Sequence, residues 1–314
     1  MAPIAGVDLG ATNLRLAIAD GTGERLASDR VATPKSDGSA VARTLVETLE
    51  ATADRAGVSV SALHAIGGGT VGPLDRGAGA VIKPPNLEAV DRIPLRDALI
   101  PVIGHPRVYV ENDAVAGLMG ERAISEEPAD NLVYLTISTG IGAGVVVDDH
   151  VLRGHAGNAA EVGHFVVEPG ADRQCGCGAR GHWEAFCSGA GIPAFARQLA
   201  AETEFETDLA IQSGDFDAAA VFDAAGDDPL ADQTLDAVAE YNAVGVAGLV
   251  HAYAPDRIVI GGAVALNNPS RVIEPLADSV GGHTMLAVPE ITAATRGEDA
   301  VLHGALTLAA NGGL

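Results

Sequence analysis

The chain predicts an α/β protein made of two related halves, and three observations carry that reading. An apolar run, a small-residue turn and a second apolar run occur twice, in "IAGVDLGATNLRLAIAD" and in "NLVYLTISTGIGAGVVVDD". Segments of helical period alternate with short β-rich runs along the chain instead of segregating from them. The length of 314 residues, 47% of them hydrophobic, suffices for a large core and for two domains or one large one. Repeated units of this kind suggest two halves that face a common ligand.

In order, "IAGVDLG" is a short apolar strand closed by glycine. After "ATN", "LRLAIAD" alternates apolar and polar up to the "GTGE" turn, which makes the pair a β-hairpin. "SAVARTLVETLEATADRAG", residues 39 to 57, has helical period, with Ser39 able to cap its start and Gly57 at its stop. "ALHAIGGGTVGPLD" reads as a buried strand entering a Gly/Pro loop, and "RVYVENDA" as a strand ending on charged residues. The second hairpin unit follows. Beyond residue 188 the chain is alanine-rich and helical, with "LDAVAEYNAVGVAGLVHAY" as its longest helix. "DRIVIGGAVA" is a strand into a Gly-Gly loop, and "EDAVLHGALTLAA" a closing helix. The acidic, alanine-rich stretch 206–232 reads as a solvated helical excursion without chemistry.

The formal charge of −23, with 19 basic residues that do not cluster, argues against a nucleic-acid partner, because phosphate contacts need a concentrated basic footprint. Lys35 and Lys83 are the only lysines. So anionic a surface repels itself at low salt and is relieved by screening, which favours a salt-rich, halophilic cytosol over ordinary acidity with an arginine bias. Three cysteines, two of them one residue apart, form no disulfide framework and fit a reducing compartment, with Cys187 a buried thiol. No apolar run reaches eighteen residues and the first residues lack a basic, long-apolar leader, so the expected setting is cytoplasmic with no membrane partner.

The chemistry-bearing motifs lie at the predicted strand ends. In "DLGATNLR", Asp8 closes a strand and Gly10, Thr12 and Asn13 form the turn; small residues let backbone N–H groups close on phosphate oxygens, and a carboxylate there can hold a Mg²⁺-bound water. "STGIGAG" is a second such cradle, and "GGAV" at 261–264 offers backbone to a nucleotide base. Gly-rich hairpins also arise for steric reasons alone. None matches the Walker pattern. "ENDAVAGLMGE" sets Asn112 and Asp113 where a strand gives way to a helix, a place for catalytic groups, although helix capping is by itself the commoner role for an Asp there. "EVGHF" supplies Glu161 and His164, and "HWEAF" supplies His182 and Glu184. With Cys175 and Cys177, the two histidines make four ligands suited to tetrahedral Zn²⁺, a structural site with no open position; a redox pair would favour two intervening residues over one.

Taken in order, "VDLGATNLRLAIAD", "ENDAVAGLMGE", "TISTGIGAGVVVD" and "GHAGNAAEVGHFVVEPGADRQCGCGARGHWEAFCSG" resemble the ROK family (repressors, open reading frames, kinases), its glucokinase-like members most closely, from Ile4 to the final helix. The resemblance implies the actin-like ATPase (ribonuclease H-like) fold: two α/β domains with a ligand cleft between them. The first would span 1–112 and be completed by 298–314; the second would span 113–297 and hold the zinc motif. Asp113 is implied as the general base toward the sugar 6-hydroxyl, with Asn112, Glu161, His164 and Glu184 on the other hydroxyls and Asn86 of "KPPNLEAVDRIPL" as a further sugar contact. Asp8, Gly10 and Thr12, with Asn13 in the same turn, match the first phosphate motif, Thr139 and Gly140 the second, and Gly261 and Gly262 the adenosine motif. His164 would bind zinc with one ring nitrogen and aim the other at the sugar.

The sequence departs from the family pattern in three places. His182 stands where the family has a third zinc cysteine, Ala11 where many members have a second glycine, and Thr70-Val71 where many read Gly or Ala then Pro. Asp8 comes at once, with no winged helix before it, which sets aside the DNA-binding branch. The implied function is an ATP-dependent glucokinase making glucose 6-phosphate with Mg²⁺, ATP and a structural Zn²⁺, as a homodimer. The same-class alternative is a kinase of fructose, N-acetylmannosamine or N-acetylglucosamine; a non-catalytic sugar-sensing regulator is the alternative of another class.

Overall fold

A computed structural model describes residues 2–84, 87, 89–125, 128–155, 157–203 and 206–314. The first stretch of chain forms β1 (Ile4–Leu9), β2 (Asn13–Ala19), β3 (Arg25–Ala32), α1 (Gly38–Arg55), β4 (Ile66–Thr70), β5 (Leu74–Asp75), β6 (Ala80–Ile82), β7 (Arg92–Ile93), α2 (Leu95–Ile103), β8 (Val108–Asn112) and α3 (Asp113–Ile124). There follow β9 (Leu132–Ile137), β10 (Ile141–Val147), β11 (His150–Val151), α4 (Trp183–Cys187), α5 (Gly191–Glu202), α6 (Ala218–Asp223) and α7 (Pro229–Tyr253). The chain closes with β12 (Arg257–Gly261), α8 (Ala263–Asn267), α9 (Pro269–Val272), α10 (Leu276–Ser279), β13 (Glu290–Ala293) and α11 (Ala300–Asn311).

Two compact units result: residues 1–128, 151–159 and 299–314 form unit one, and residues 129–150 and 160–298 form unit two. This division differs from a split at 112/113. Helix α3 stays with unit one because it packs closely along α11, and residues 151–159 return to that unit as well.

Unit one carries a sheet of order β3-β2-β1-β4-β8, and unit two one of order β11-β10-β9-β12-β13. In each, a hairpin (β1/β2, β9/β10) is joined by a parallel strand (β4, β12) and then by a second parallel strand (β8, β13). The repeat visible in the two sequence hairpins is therefore a repeat of whole sheets. Unit one adds a small sheet of β5, β6 and β7.

Successive side chains of a strand point to opposite faces. One face of the first sheet, bearing Val7, Leu9, Ile66 and Val110, packs on Leu45, Leu49 and Leu99 of α1 and α2. The other face bears glycines: a Cβ at Gly67 would lie 1.9 Å from the Ala305 carbonyl oxygen, and one at Gly6 would lie 2.8 Å from Leu306 Cγ. Where α3 crosses α11 the contact is as tight, since a Cβ on Gly304 would sit 1.7 Å from the Ala116 oxygen and one on Gly120 2.2 Å from the Ala300 oxygen. These glycines let α3 and α11 lie directly on the sheet, which fixes the start of α3 against β4. Gly67→Ala is expected to destabilise by at least the roughly 1–3 kcal/mol typical of overpacking, because the clash is with backbone. An unchanged melting temperature would contradict that packing.

Helix α1 is capped by Asp37, whose Oδ1 accepts from Ala40 N at 2.8 Å, and not by Ser39, which lies inside the first turn. Gly57 follows the helix with φ +67. In unit two, the stretch 206–232 is helical only from α6 onward. Its first part is tied to the start of α7 through Asp228: Oδ1 accepts from Leu230 N and Ala231 N, while Oδ2 accepts from Thr207 Oγ1 and Asp208 N. Among the described residues no helix is long and apolar enough to cross a membrane.

Candidate active site

In unit one, Asp8, Gly69 and Glu111 lie in one register row across β1, β4 and β8, and Leu9, Thr70 and Asn112 in the next. These rows stand at the carboxyl ends of the parallel strands, where α/β proteins bind ligands. Asn112 is the N-cap of α3: its Oδ1 accepts from Ala114 N at 2.9 Å. Asp113 is the first helical residue, half-buried, and its Oδ1 also accepts from Ala114 N, at 2.8 Å. The capping role that Asp113 could have held alone is thus filled by Asn112.

Asp8 is buried, and Arg15 Nε donates to its Oδ2 at 2.7 Å. Burial pushes the Asp8 carboxyl above its ordinary range, and the Arg15 charge and hydrogen bond oppose that push. The turn beside it closes when Gly10 N donates to the Asn13 oxygen at 2.9 Å, and Thr33 braces it by donating from N to the Thr12 oxygen and from Oγ1 to the Gly10 oxygen. Thr12 is exposed at its tip. Sequence patterning singled out neither Arg15, on β2, nor Thr33, just after β3; both bear on the turn only through cross-strand register. Asn86, the further sugar contact that the resemblance implies, falls outside the described residues.

In unit two, the Ser138–Gly140 turn meets two other glycine segments. Gly189 N donates to the Ser138 oxygen at 2.7 Å, and a Cβ on Gly262 would lie 2.3 Å from the Ile137 oxygen. Gly262 holds φ +90 ahead of α8, and a Cβ on Gly261 would strike the Tyr134 hydroxyl at 2.3 Å. Thr139, Gly140, Gly261 and Gly262 therefore come together, joined by a third segment, Ser188-Gly189, that the sequence reading did not single out. Its signal was present in "CSGAG", a small-residue run of the same kind as the other two. The glycines are needed there because the protein itself fills the space beside them: the Tyr134 hydroxyl at Gly261, the Glu184 carboxylate at Gly140 and the Ile137 oxygen at Gly262.

The second feature of unit two is a knuckle. Cys175 Sγ lies 3.7 Å from His164 Nδ1 and Cys177 Sγ 3.3 Å from His182 Nδ1. One ligand atom from each of the four residues lies within 4.8 Å of every other. Zinc bonds of about 2.0–2.3 Å in a tetrahedron require ligand separations of roughly 3.3–3.8 Å; the two Cys–His pairs already meet that spacing, and the wider separations, up to 4.8 Å, would have to draw in around an ion. Cys175 is buried and its thiol is pushed up to about 11, chiefly by that burial, while Cys177 is exposed. The His182 imidazole is lowered by desolvation and then by His164.

The knuckle is built from backbone. Val166 and His182 form a β-bridge, Cys175 N donates to the Ala179 oxygen at 2.8 Å, and Gly181 at φ +72 leaves room for the Glu168 oxygen. Below it the buried Trp183 donates from Nε1 to Asn242 Oδ1 at 2.8 Å and lies over Gly245 of α7. Arg173, which sequence patterning passed over, donates to the carbonyls of Ala185 and Gly191 and ties the knuckle to α4 and α5.

Glu184 links knuckle and turn. Its Oε2 accepts from Ile141 N at 2.9 Å, and its Oε1 lies 3.9 Å from Cys175 Sγ. Glu161 lies close enough to be influenced by His164, which lowers its pKa, and by Glu184, which raises it, beneath a larger upward push from desolvation. The residue is exposed, which argues that the push is weak. Glu161, His164 and Glu184 thus converge at one edge of unit two. Ala160, just before them, holds φ +62, a left-handed conformation that costs an L-residue roughly 1–2 kcal/mol. Ala160→Gly relieves it, partly offset by about 0.4–1 kcal/mol of unfolded-state entropy. A small rise in melting temperature is expected, and a fall would contradict the assigned backbone.

The ROK family model matches residues 4–311. A glucokinase of Pyrobaculum calidifontis is 34% identical over 98% of this chain and 95% of its own length. The crystal structure of a ROK hexokinase from Thermus thermophilus superposes with a TM-score of 0.78 at 36% identity, covering 97% of this chain and 96% of that one. A ROK family glucokinase from Streptomyces griseus, solved in complex with glucose and AMPPNP, gives a TM-score of 0.79 at 28% identity over 98% of both chains. With its duplicated sheets, its glycine cradles and a match over nearly its full length, this chain belongs to the ROK family and has the actin-like two-domain fold.

Proposed function

We propose that the chain is an ATP-dependent glucokinase that converts glucose and ATP to glucose 6-phosphate and ADP. The observation that carries this reading is the Asn112–Asp113 junction: a carboxylate at the carboxyl end of β8, freed from sole capping duty by Asn112. The full-length glucokinase relatives support it.

Asp113 takes the proton of the sugar 6-hydroxyl as that oxygen attacks the γ-phosphorus in line, and ADP leaves. Asn112, Glu161, His164 and Glu184, with Asn86, hold the remaining hydroxyls. Directed polar groups of this kind discriminate strongly against a sugar whose hydroxyl points elsewhere, because a buried partner is then left unpaired. Asp8, Gly10, Thr12 and Asn13 line one phosphate turn, Thr139 and Gly140 the other, and Gly261 and Gly262 lie under the adenosine. Mg²⁺, when bound near Asp8, neutralises phosphate charge. Zn²⁺, when bound by His164, Cys175, Cys177 and His182, supplies a rigid crosslink. His164 then presents its other ring nitrogen to the sugar. A homodimer is expected from the family resemblance, a cytosolic setting from the cysteine usage, and a salt-rich one from the −23 charge.

A coupled assay of ADP release across a sugar panel tests the reading. Glucose is expected to turn over with the highest kcat/KM. Inert glucose beside active N-acetylmannosamine or N-acetylglucosamine would overturn it in favour of an amino-sugar kinase.

A further inference from the structure

Among the described residues, unit two leaves one apolar face uncovered. Along α7, Val244, Ala247, Gly248 and His251 stand at i, i+3, i+4 and i+7 and so form one stripe of the helix, which lines a groove of about 430 Å³. Phe165, Val166 and Val167, immediately after His164, lie alongside; a Cβ on Gly248 would be 3.3 Å from Phe165 Cδ2. The described residues expose five large hydrophobic side chains, and three of them stand here. Val166, 53% exposed, is in the lining, and Met285 and Leu286, 90% and 41% exposed, follow the rim residue His283 by two and three positions. Exposed apolar side chains scattered singly need no explanation, but a cluster of them beside a groove marks a contact surface.

Backbone contacts hold this face in shape. Val166 bridges to His182, Trp183 N donates to the Phe165 oxygen at 2.8 Å, and Val167 N donates to the Gly181 oxygen at 3.0 Å. Beside the groove, Thr284 Oγ1 lies 3.2 Å from His251 Nε2 and accepts from Leu286 N at 3.0 Å, which ties the segment bearing Met285 to α7. Glu240, one turn before Val244, lies 3.3 Å from His283 Nε2. The lining itself holds no carboxylate, lysine or arginine, in a chain of net charge −23. Copies so strongly like-charged repel each other, and they pack closely only through a face that carries no charge of its own. A cationic partner would be drawn to the acidic surface elsewhere.

We propose that this groove is where two copies of the chain join, with Met285 and Val166 of each copy set against the groove of the other about a two-fold axis. A two-fold contact is self-complementary, so it requires a projection and a hollow on one and the same face, and Met285 beside the α7 stripe supplies both. The methionine side chain is flexible enough to fill an irregular apolar hollow. A stable dimer buries about 800 Å² on each partner, so the groove is the apolar centre of a larger contact with a polar rim. The proposal gives a face to the homodimer expected above and rests on that expectation, not on the kinase activity.

Sedimentation equilibrium of the full chain in concentrated KCl, which screens the net charge, tests the face. The expected mass is twice the 31.7 kDa of one chain. Met285→Glu and Val166→Lys are each expected to weaken the dimer about tenfold or more, since a charge placed at the centre of an apolar contact is buried without a partner. The two substitutions carry opposite charges, so a loss in both is no effect of net charge. Both side chains are more than half exposed in the single chain, so neither substitution removes buried packing. Leu26→Glu, at an exposed position on β3 of unit one, is expected to leave the dimer unchanged, and equal dissociation by it would overturn the proposal. A dimer that survives both groove substitutions overturns the face and leaves the homodimer standing; a monomeric parent chain overturns both. A monomer that takes up the apolar dye Nile red, and takes up less of it as Val166→Lys, gives the groove to a small ligand instead. Glucose turnover in the same samples reports separately: an inactive chain that dimerises through the groove removes the kinase reading and leaves the interface.

Discussion

Replacing Asp113 by Asn is expected to lower kcat by about 10²–10⁴-fold, the contribution of a positioned general base. Sugar affinity should stay within a few-fold, because the amide retains an oxygen that can accept from Ala114 N and Asn112 still caps α3. The loss then falls on the chemical step, which kinetics read as a fall in kcat with little change in the glucose dissociation constant. A structural role for Asp113 would show the opposite pattern, with the melting temperature falling alongside activity. Asn112→Ala separates the two further: losing the cap costs about 1 kcal/mol and lets Asp113 shift, so both stability and kcat should drop.

Removing the zinc proposed at the knuckle is expected to have the second large effect. Structural zinc contributes of order 10 kcal/mol to the folding of isolated finger peptides. Here the knuckle is already held by the Val166–His182 bridge and by Trp183, so a smaller share appears as stability. The loss should still exceed the roughly 1 kcal/mol typical of point substitutions. Chelation or Cys175→Ser should therefore lower the melting temperature clearly. Sugar KM should also rise, since the His164 ring would lose the ion that holds it in one orientation beside Glu161 and Glu184. His182→Cys keeps a four-ligand set and should retain the metal. Metal analysis of the purified chain is expected to find one zinc per chain; no metal, together with an unaltered melting temperature in Cys175→Ser, would remove the brace from the account.

Much of this was legible in the sequence because it depends on local pattern. The two hairpins, the strand-to-helix junction at Asn112–Asp113, and the grouping of His164, Cys175, Cys177 and His182 are all short-range features, and the structure places each side chain of the last group within reach of the others. What local pattern could not carry was set by packing between distant segments. The boundary at 128/129 follows from Gly120 meeting Ala300 and Gly304, a contact between residues far apart in the chain. The cap of α1 went to Asp37 because its extended backbone aims the carboxylate at Ala40 N, whereas Ser39 is already helical. Arg15 on Asp8, Arg173 under the knuckle and Arg76 with Arg153 on Glu111 are all side chains whose partners come from other elements. Read singly, each was one more exposed-looking arginine.

The most direct measurement is ³¹P NMR of purified chain incubated with glucose, ATP and Mg²⁺. The account predicts a sugar phosphomonoester resonance assigned to the 6-position, growing in equal amount with ADP and abolished by Asp113→Asn. ADP without any sugar phosphate, phosphate on a different hydroxyl, or undiminished product from Asp113→Asn would contradict it.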